Sequence, residues 1–232
     1  MRTERCSFLK KRTKKLLSLR ARCRRAAPQQ SKVFCFFFSK KKSLSSFALV
    51  AVLTACSSPD PTFYTLQSAP GAAIAGGPAS VEIRRPGLAG YLDRSDIVLK
   101  SAAYELSMNS QHRWGEPLGD MIGRVLTQDL SQRLPGTDIF AQTGAITADP
   151  QLRVEVDILS FDADASGSVV LNADVAIERG LSHTPLAAHH VALTAQPAGP
   201  GAADLAATMS TLLGELADRI ASDIRALPQA PT

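Results

Sequence analysis

The chain turns from apolar to polar at a single cysteine, in the stretch SSFALVAVLTACSSPDPTFYTL (45–66), and this seam limits how much of the sequence is available to fold. Phe47 to Ala55 carries no charge and follows the basic cluster Lys40-Lys41-Lys42, the layout of an export signal. A bilayer span needs about 20 apolar residues. The run is shorter, so it reads as a segment to be removed and not as a permanent membrane helix. Once residues 1–55 are gone, 177 residues from Cys56 to Thr232 are left, enough for one ordinary domain and its core.

Removing that segment also changes the charge. Residues 1–55 hold 15 of the 26 Lys and Arg and one of the 21 Asp and Glu, so 56–232 keeps 11 basic and 20 acidic residues, a net of −9. The overall charge of +5 therefore belongs to the precursor. An acidic mature chain argues against a nucleic-acid partner, because such binding depends on Lys and Arg neutralising phosphates. Three of the four cysteines, Cys6, Cys23 and Cys35, fall in the leader, which rules out a disulfide framework or a cysteine metal site in the mature chain.

Leu53-Thr54-Ala55-Cys56 sets a branched apolar residue and two small ones before the cysteine, an order that resembles the lipobox of bacterial lipoproteins. The resemblance implies a diacylglyceryl group on the Cys56 thiol, cleavage after Ala55 and acylation of the new amine. Each buried acyl CH₂ contributes about 0.8 kcal/mol, so one chain holds weakly and several hold firmly. The other reading is an exported protein whose Cys56 stays free or leaves with the signal. Ser57 stands where an Asp would favour inner-membrane retention, which points to the outer membrane. The basic leader before the signal is longer than a lipoprotein requires, and no methionine lies between Met1 and Met108. The expectation is a start nearer the signal, for instance at Val33, or simply a long leader; a basic nucleic-acid arm is the competing reading.

Beyond a short tether, Phe63-Tyr64-Thr65-Leu66 reads as a first strand, and the Gly-, Ala- and Pro-rich segment 68–80 as a loop. Strand signals follow at 80–85, 97–100 and 103–114. In the helix that follows, Leu118, Met121, Ile122, Val125, Leu126, Leu130 and Leu134 recur at the spacing of one helical face, between Pro117 and Pro135-Gly136. After a short strand at 138–142, Leu152, Val154, Val156 and Ile158 alternate with charged residues, and Val169 to Ile177 repeats the pattern. Alternation predicts a sheet with one wet and one buried face, most naturally antiparallel. Residues 162–168 read as the turn between these strands, and 189–196 as a third, more weakly alternating one. Residues 202–227 form an amphipathic helix of about 37 Å at 1.5 Å per residue, expected to cover the buried sheet face. Its polar face is mostly acidic, a poor match for anionic lipid.

Lipobox, then Tyr64-Thr65-Leu66, then Tyr91-Leu92-Asp93-Arg94, then Trp114 with Pro117-Leu118 together resemble the PqiC-like family of ABC-type transport auxiliary lipoproteins. The resemblance runs over roughly 56–227. It implies a lipid-anchored envelope protein without catalysis, facing the periplasm from the outer membrane and helping to move lipids or other hydrophobic molecules in support of membrane integrity. The implied partners are an MCE-domain protein and, through it, an inner-membrane ABC permease and ATPase. A homo-oligomer is implied by analogy alone. The layout expected is 1–55 as removed leader and signal, 56–62 as lipidated tether, 63–227 as the domain and 228–232 as a tail. The fold class is α/β (α+β-like), with two main helices packed on a mixed, largely antiparallel β-sheet in a single domain. Tyr91, Arg94 and Trp114 are candidate partner contacts, since aromatics and Arg are favoured at hot spots. The other reading makes Trp114 a core anchor and Arg94 an ion-pair partner.

Neither a metal nor a cofactor is expected beyond the lipid on Cys56. Of the four histidines, His112, His183, His189 and His190, the adjacent pair faces opposite sides of a strand, which is poor geometry for one metal. The chain has no H-E-x-x-H, G-x-S-x-G or G-x-x-x-x-G-K-[ST] motif, and Asp162 with Asp164 reads as a solvated turn, not an acid/base couple. Two competitors stay open: an assembly lipoprotein that chaperones an outer-membrane barrel or polymer exporter, and an envelope hydrolase.

Overall fold

The computed structural model describes residues 60–145 and 149–228. Cys56, the bond after Ala55 and the leader lie outside the described residues, as does 229–232. All described residues belong to one compact unit. In chain order they form β1 (Thr62–Tyr64), β2 (Ser80–Ile83), β3 (Gly87–Leu88), β4 (Asp96–Ala102), β5 (Glu105–Trp114), α1 (Leu118–Arg133), β6 (Asp138–Ala141), β7 (Leu152–Ala163), β8 (Val169–Arg179), β9 (Pro185–Ala195) and α2 (Ala202–Ala226).

The long strand β7 is the spine of one mixed sheet. Along one edge it pairs antiparallel with β8, which pairs antiparallel with β9. Along the other edge it meets three strands in turn, all parallel: β2 beside Leu152–Val154, β3 beside Asp157–Ile158 and β4 at Ala163. The sheet therefore forks. From the start of β7 it continues through β2 to the parallel β6, and from the end of β7 through β4 to the antiparallel β5 and then the parallel β1. The long ladders are antiparallel and the short ones parallel.

Alternation sorts the two faces of the sheet. Val154, Val156 and Ile158 lie in register with Ile177, Val175 and Ala173, and the latter two with His189 and Val191, so one face is almost wholly apolar. A register shift between Ile158 and Ser160 leaves Leu159 exposed and brings Phe161 and Ala163 into the core. Helices α1 and α2 pack on each other and on this face. Leu118, Met121, Ile122, Val125, Leu126 and Leu130 of α1, and Leu205, Met209, Leu212, Leu213, Leu216, Ile220 and Ile224 of α2, are all buried. Each such side chain stabilises the fold by roughly 1.5–3 kcal/mol relative to exposure. Asp120 and Arg133 in α1, and Asp204 and Arg225 in α2, sit at the helix ends where their charges oppose the helix dipole.

The Gly-Ala-Pro segment has no regular structure, as expected of a loop, but it is tied across both helices. Ser68 Oγ and the Ala69 N–H donate to Asp129 Oδ1 at 2.5 and 2.9 Å, and the Ile74 N–H donates to the Arg133 carbonyl at the end of α1. The buried Arg133 guanidinium donates to the carbonyls of Ala69, Asp129 and Gly214 and to Asp218 Oδ1. Space for this crossing comes from glycine: a Cβ on Gly214, in the middle of α2, would lie 2.7 Å from the Ala69 Cβ, and one on Gly71 would overlap the guanidinium. Burial holds the Asp129 carboxyl above the ordinary carboxylate value, against the pull of Ser68, Ala69 and Arg133.

Several boundaries differ from the sequence reading: the first strand ends at Tyr64 and not at Leu66, and the one expected over 80–85 ends at Ile83. Residues 162–168 are not all turn: β7 runs through Asp162 to Ala163, and the reversal is confined to Asp164–Gly167, where Gly167 takes a positive φ of 84°. The third long strand starts at Pro185, earlier than expected, because Pro185-Leu186-Ala187-Ala188 is uniformly apolar and small, without the alternation that marks a strand, and none of it is fully buried.

Candidate interaction surface

Strands β4 and β5 form a hairpin that outgrows the rest of the sheet. Ile97 and Val98 are buried, but from Leu99 onward β4 is largely exposed, and Glu105–Ser110 of β5 is exposed throughout. Among the described residues β1 covers the outer edge of β5 only at His112–Trp114. The hairpin carries exposed apolar side chains: Tyr104 at its tip, fully exposed, with Leu106 at 40% and Met108 at 50%. One of its faces, through Ile97, Leu99, Ser107 and Asn109, borders a cleft of about 700 Å³ closed on the far side by Gly167, Pro200 and Leu205.

The three sequence candidates gather around the base of this hairpin in different environments. Tyr91 is half-buried. Its hydroxyl donates to Asp162 Oδ2 at 2.5 Å, Lys100 Nζ lies 3.3 Å from Asp162 Oδ1, and the same ammonium stands 5.8 Å from the Tyr91 ring centroid. Asp162 is buried at the end of β7, so it is no part of a solvated turn with Asp164. Burial first, and then the bond to Asp162, push the Tyr91 hydroxyl above its ordinary pKa, so it stays a donor. Arg94 is exposed, and its Nη1 lies 2.6 Å from Met108 Sδ; no carboxylate among the described residues reaches it, so it is not the ion-pair partner of the alternative reading. Trp114 is 5% exposed and part of the main core cluster, which makes it a core anchor with little ring surface for a partner. The adjacent Tyr64 hydrogen-bonds through its hydroxyl to His112 Nδ1 at 3.1 Å, and its carbonyl accepts from the Gly115 N–H.

Tyr91→Phe keeps the ring and removes the donor, leaving a buried carboxylate with Lys100 as its remaining partner. The expected cost is about 1–3 kcal/mol, the usual penalty for an orphaned buried polar group. It is measured as a lower urea midpoint at unchanged m-value.

The other titratable groups are dispersed. His189 faces α2 and lies 3.3 Å from Asp223, whereas His190 on the opposite sheet face lies 2.8 Å from Asp174. Asp164 accepts from the Ser166 hydroxyl and from the Ser166 and Ser168 N–H groups, which hold its carboxyl below the ordinary range. No group of three His, Cys, Asp or Glu among the described residues is placed to hold a metal. No helix among them is long and apolar enough to cross a membrane. Sequence reasoning missed Lys100, Asp162, Tyr104, Leu106 and Met108. The available signal was an i, i+2 apolar pair, Leu106 and Met108, in an otherwise polar strand, which matches a buried face equally well.

Solved structures share this fold. A crystal structure of an uncharacterized protein superposes with a TM-score of 0.61 at 15% identity, over 72% of this chain and 99% of that one. A Xanthomonas campestris protein of the DUF330 family gives 0.56 at 14% identity, over 71% and 95%. At such identities the likeness is one of fold. No curated protein matches the chain. The model of the family described as ABC-type transport auxiliary lipoprotein component matches residues 64–221, from the end of β1 into α2, and the chain belongs to that family.

Proposed function

We propose that the protein is a non-catalytic, lipid-anchored accessory subunit of an MCE/ABC-type transport system that moves lipids or other hydrophobic molecules across the cell envelope. The observation that carries this reading is the family match, which spans nearly the whole folded domain and describes an auxiliary component of transport. The lipobox-like Leu53-Thr54-Ala55-Cys56 supplies the anchor, and Ser57 after it favours the outer membrane with the domain facing the periplasm. Lys100 and Asp162 are bound to each other and to Tyr91 and are thereby occupied in structure, which favours a binding role over hydrolysis. Tyr91 and Arg94, at the base of the hairpin, offer the surface on which partners dock. Self-association belongs to the same proposal.

The test is a crosslinked pull-down from native envelopes, with mass spectrometry of the partners and of the N-terminal peptide. An acylated Cys56 recovered with an MCE-domain protein is the expected result. An acylated Cys56 with only a barrel or polymer-export partner would keep the lipoprotein and remove the transport assignment, in favour of envelope assembly.

A further inference from the structure

We infer that the tip of the β4–β5 hairpin is the membrane-facing end of the domain, with Tyr104, Leu106 and Met108 lying in the headgroup layer of the bilayer that holds the Cys56 lipid. This rests on the anchor reading above and adds an orientation to it.

The argument starts from chain direction. β1 runs parallel to β5, with Thr62 opposite His112 and Tyr64 opposite Trp114. Residues before Thr62 therefore approach from the side on which β5 begins, which is the hairpin tip. Cys56 precedes Thr62 by six residues. Fully extended, those residues span at most about 20–22 Å. Tyr104 precedes His112 by eight residues, roughly 26 Å of strand before any loss to the irregular pairing of β5. The contour length available to the tether is thus no greater than the length of the hairpin. Acyl chains on Cys56 cannot enter a bilayer while the domain stands well clear of it; the hairpin end comes to the surface with them.

What that end presents fits a lipid interface. Tyr104 is wholly exposed, and an aromatic ring with a polar tip suits the boundary between headgroups and acyl chains. Leu106 and Met108 occupy one face of β5, opposite Lys100 and Val98 of β4, and Phe63 of β1, 63% exposed, pairs with Arg113 at the hairpin base. Charge is a minor part of the contact: Lys100 is engaged by Asp162 and Arg113 by Asp96 at 3.2 Å, and Arg94, against Met108, is left as a cation without a carboxylate partner among the described residues. With one such cation, the contact is only weakly dependent on the fraction of anionic lipid.

Since the mature chain has no cysteine besides Cys56, an introduced one is a unique free thiol once Cys56 is acylated. The acylated protein carrying Leu106→Cys is labelled with an environment-sensitive fluorophore and reconstituted into vesicles of phosphatidylethanolamine and phosphatidylglycerol, with or without doxyl-labelled lipid. Leu181→Cys, at the exposed β8–β9 turn by the opposite end of β7, is the control, and Tyr104→Cys a second reporter. The expected result is a blue shift with loss of most emission to doxyl lipid at 106 and 104, no change at 181, and the same outcome when phosphatidylcholine replaces phosphatidylglycerol. Water-like emission at 106 and 104 in vesicle-bound protein would overturn the inference. So would a blue shift without lipid quenching, which would mean that a second copy or a protein partner covers the hairpin. Protein that fails to bind vesicles and whose Cys56 mass is unmodified would overturn the anchor itself, a result distinguished by the mass.

Discussion

Arg133→Ala is expected to lower the unfolding free energy by about 3–5 kcal/mol, far more than removal of a surface arginine. The side chain is 1% exposed, and its guanidinium closes the junction between α1, α2 and the 68–71 segment. Truncation leaves the carbonyls of Ala69 and Gly214 without this donor, opens a void where Gly71 now packs on the guanidinium, and removes the cation nearest the buried Asp129. The pair with Asp218 contributes the smaller share, because that carboxylate is 53% exposed and screened by water. In a domain of this size the loss corresponds to a fall in Tm of roughly 6–20 °C. Arg133→Lys is expected to recover only part of it, since one ammonium cannot reach carbonyls on three segments in the planar fork of a guanidinium.

The deficit of Arg133→Ala also depends on pH. Burial already holds the Asp129 folded-state pKa above its ordinary 3.8, and Arg133 pulls it back down. Without Arg133 that pKa rises further. A raised folded-state pKa means that the carboxyl's contribution is fully present below the unfolded value and is lost as pH rises through the folded one. The variant's deficit should accordingly be smallest near pH 4 and grow toward neutrality. Urea midpoints across that range measure it, and a deficit independent of pH would show that Asp129 and Arg133 are not coupled.

Much of this architecture was legible in the sequence because each helix and each long strand hides one face. Leu118 to Leu134 and Leu205 to Leu227 repeat at helical spacing, and β7 and β8 alternate cleanly, so both helices and the antiparallel ladder could be read directly. The fork could not. The parallel partners of β7 are strands of four, two and seven residues, whose placement depends on contacts up to 71 positions away. Asp162 illustrates the same limit at the candidate surface. Beside Asp164 and Gly167 it looks like turn chemistry, and only the third dimension puts Tyr91 over it, 71 residues away in sequence. Trp114 shows why an aromatic within a motif does not declare its role: composition is the same for a hot spot and a core anchor, and burial decides. Exposure of the hairpin was hidden for a related reason, since alternation reports that one face differs from the other but not whether anything covers it.

Cys56→Ala is expected to move the protein wholly from the membrane to the aqueous fraction while leaving the domain's unfolding midpoint unchanged. The two effects separate because they draw on different parts of the chain. Among the described residues every core residue lies between Leu66 and Ile224, ten or more positions beyond the cysteine, so folding is not expected to require it. Anchoring does. At about 0.8 kcal/mol per buried CH₂ a single chain binds marginally, and the several chains implied for Cys56 bind firmly. The hairpin contributes a few partly exposed side chains, each worth at most about 1.5–3 kcal/mol if fully buried, and these orient a tethered domain without holding a free one. Fractionation of envelopes, with a salt wash to strip peripheral protein, measures the first effect, and urea unfolding of the released domain the second. Persistent membrane association of the Cys56→Ala protein after the wash would remove lipidation as the anchor. A lowered midpoint would show that the tether is part of the fold.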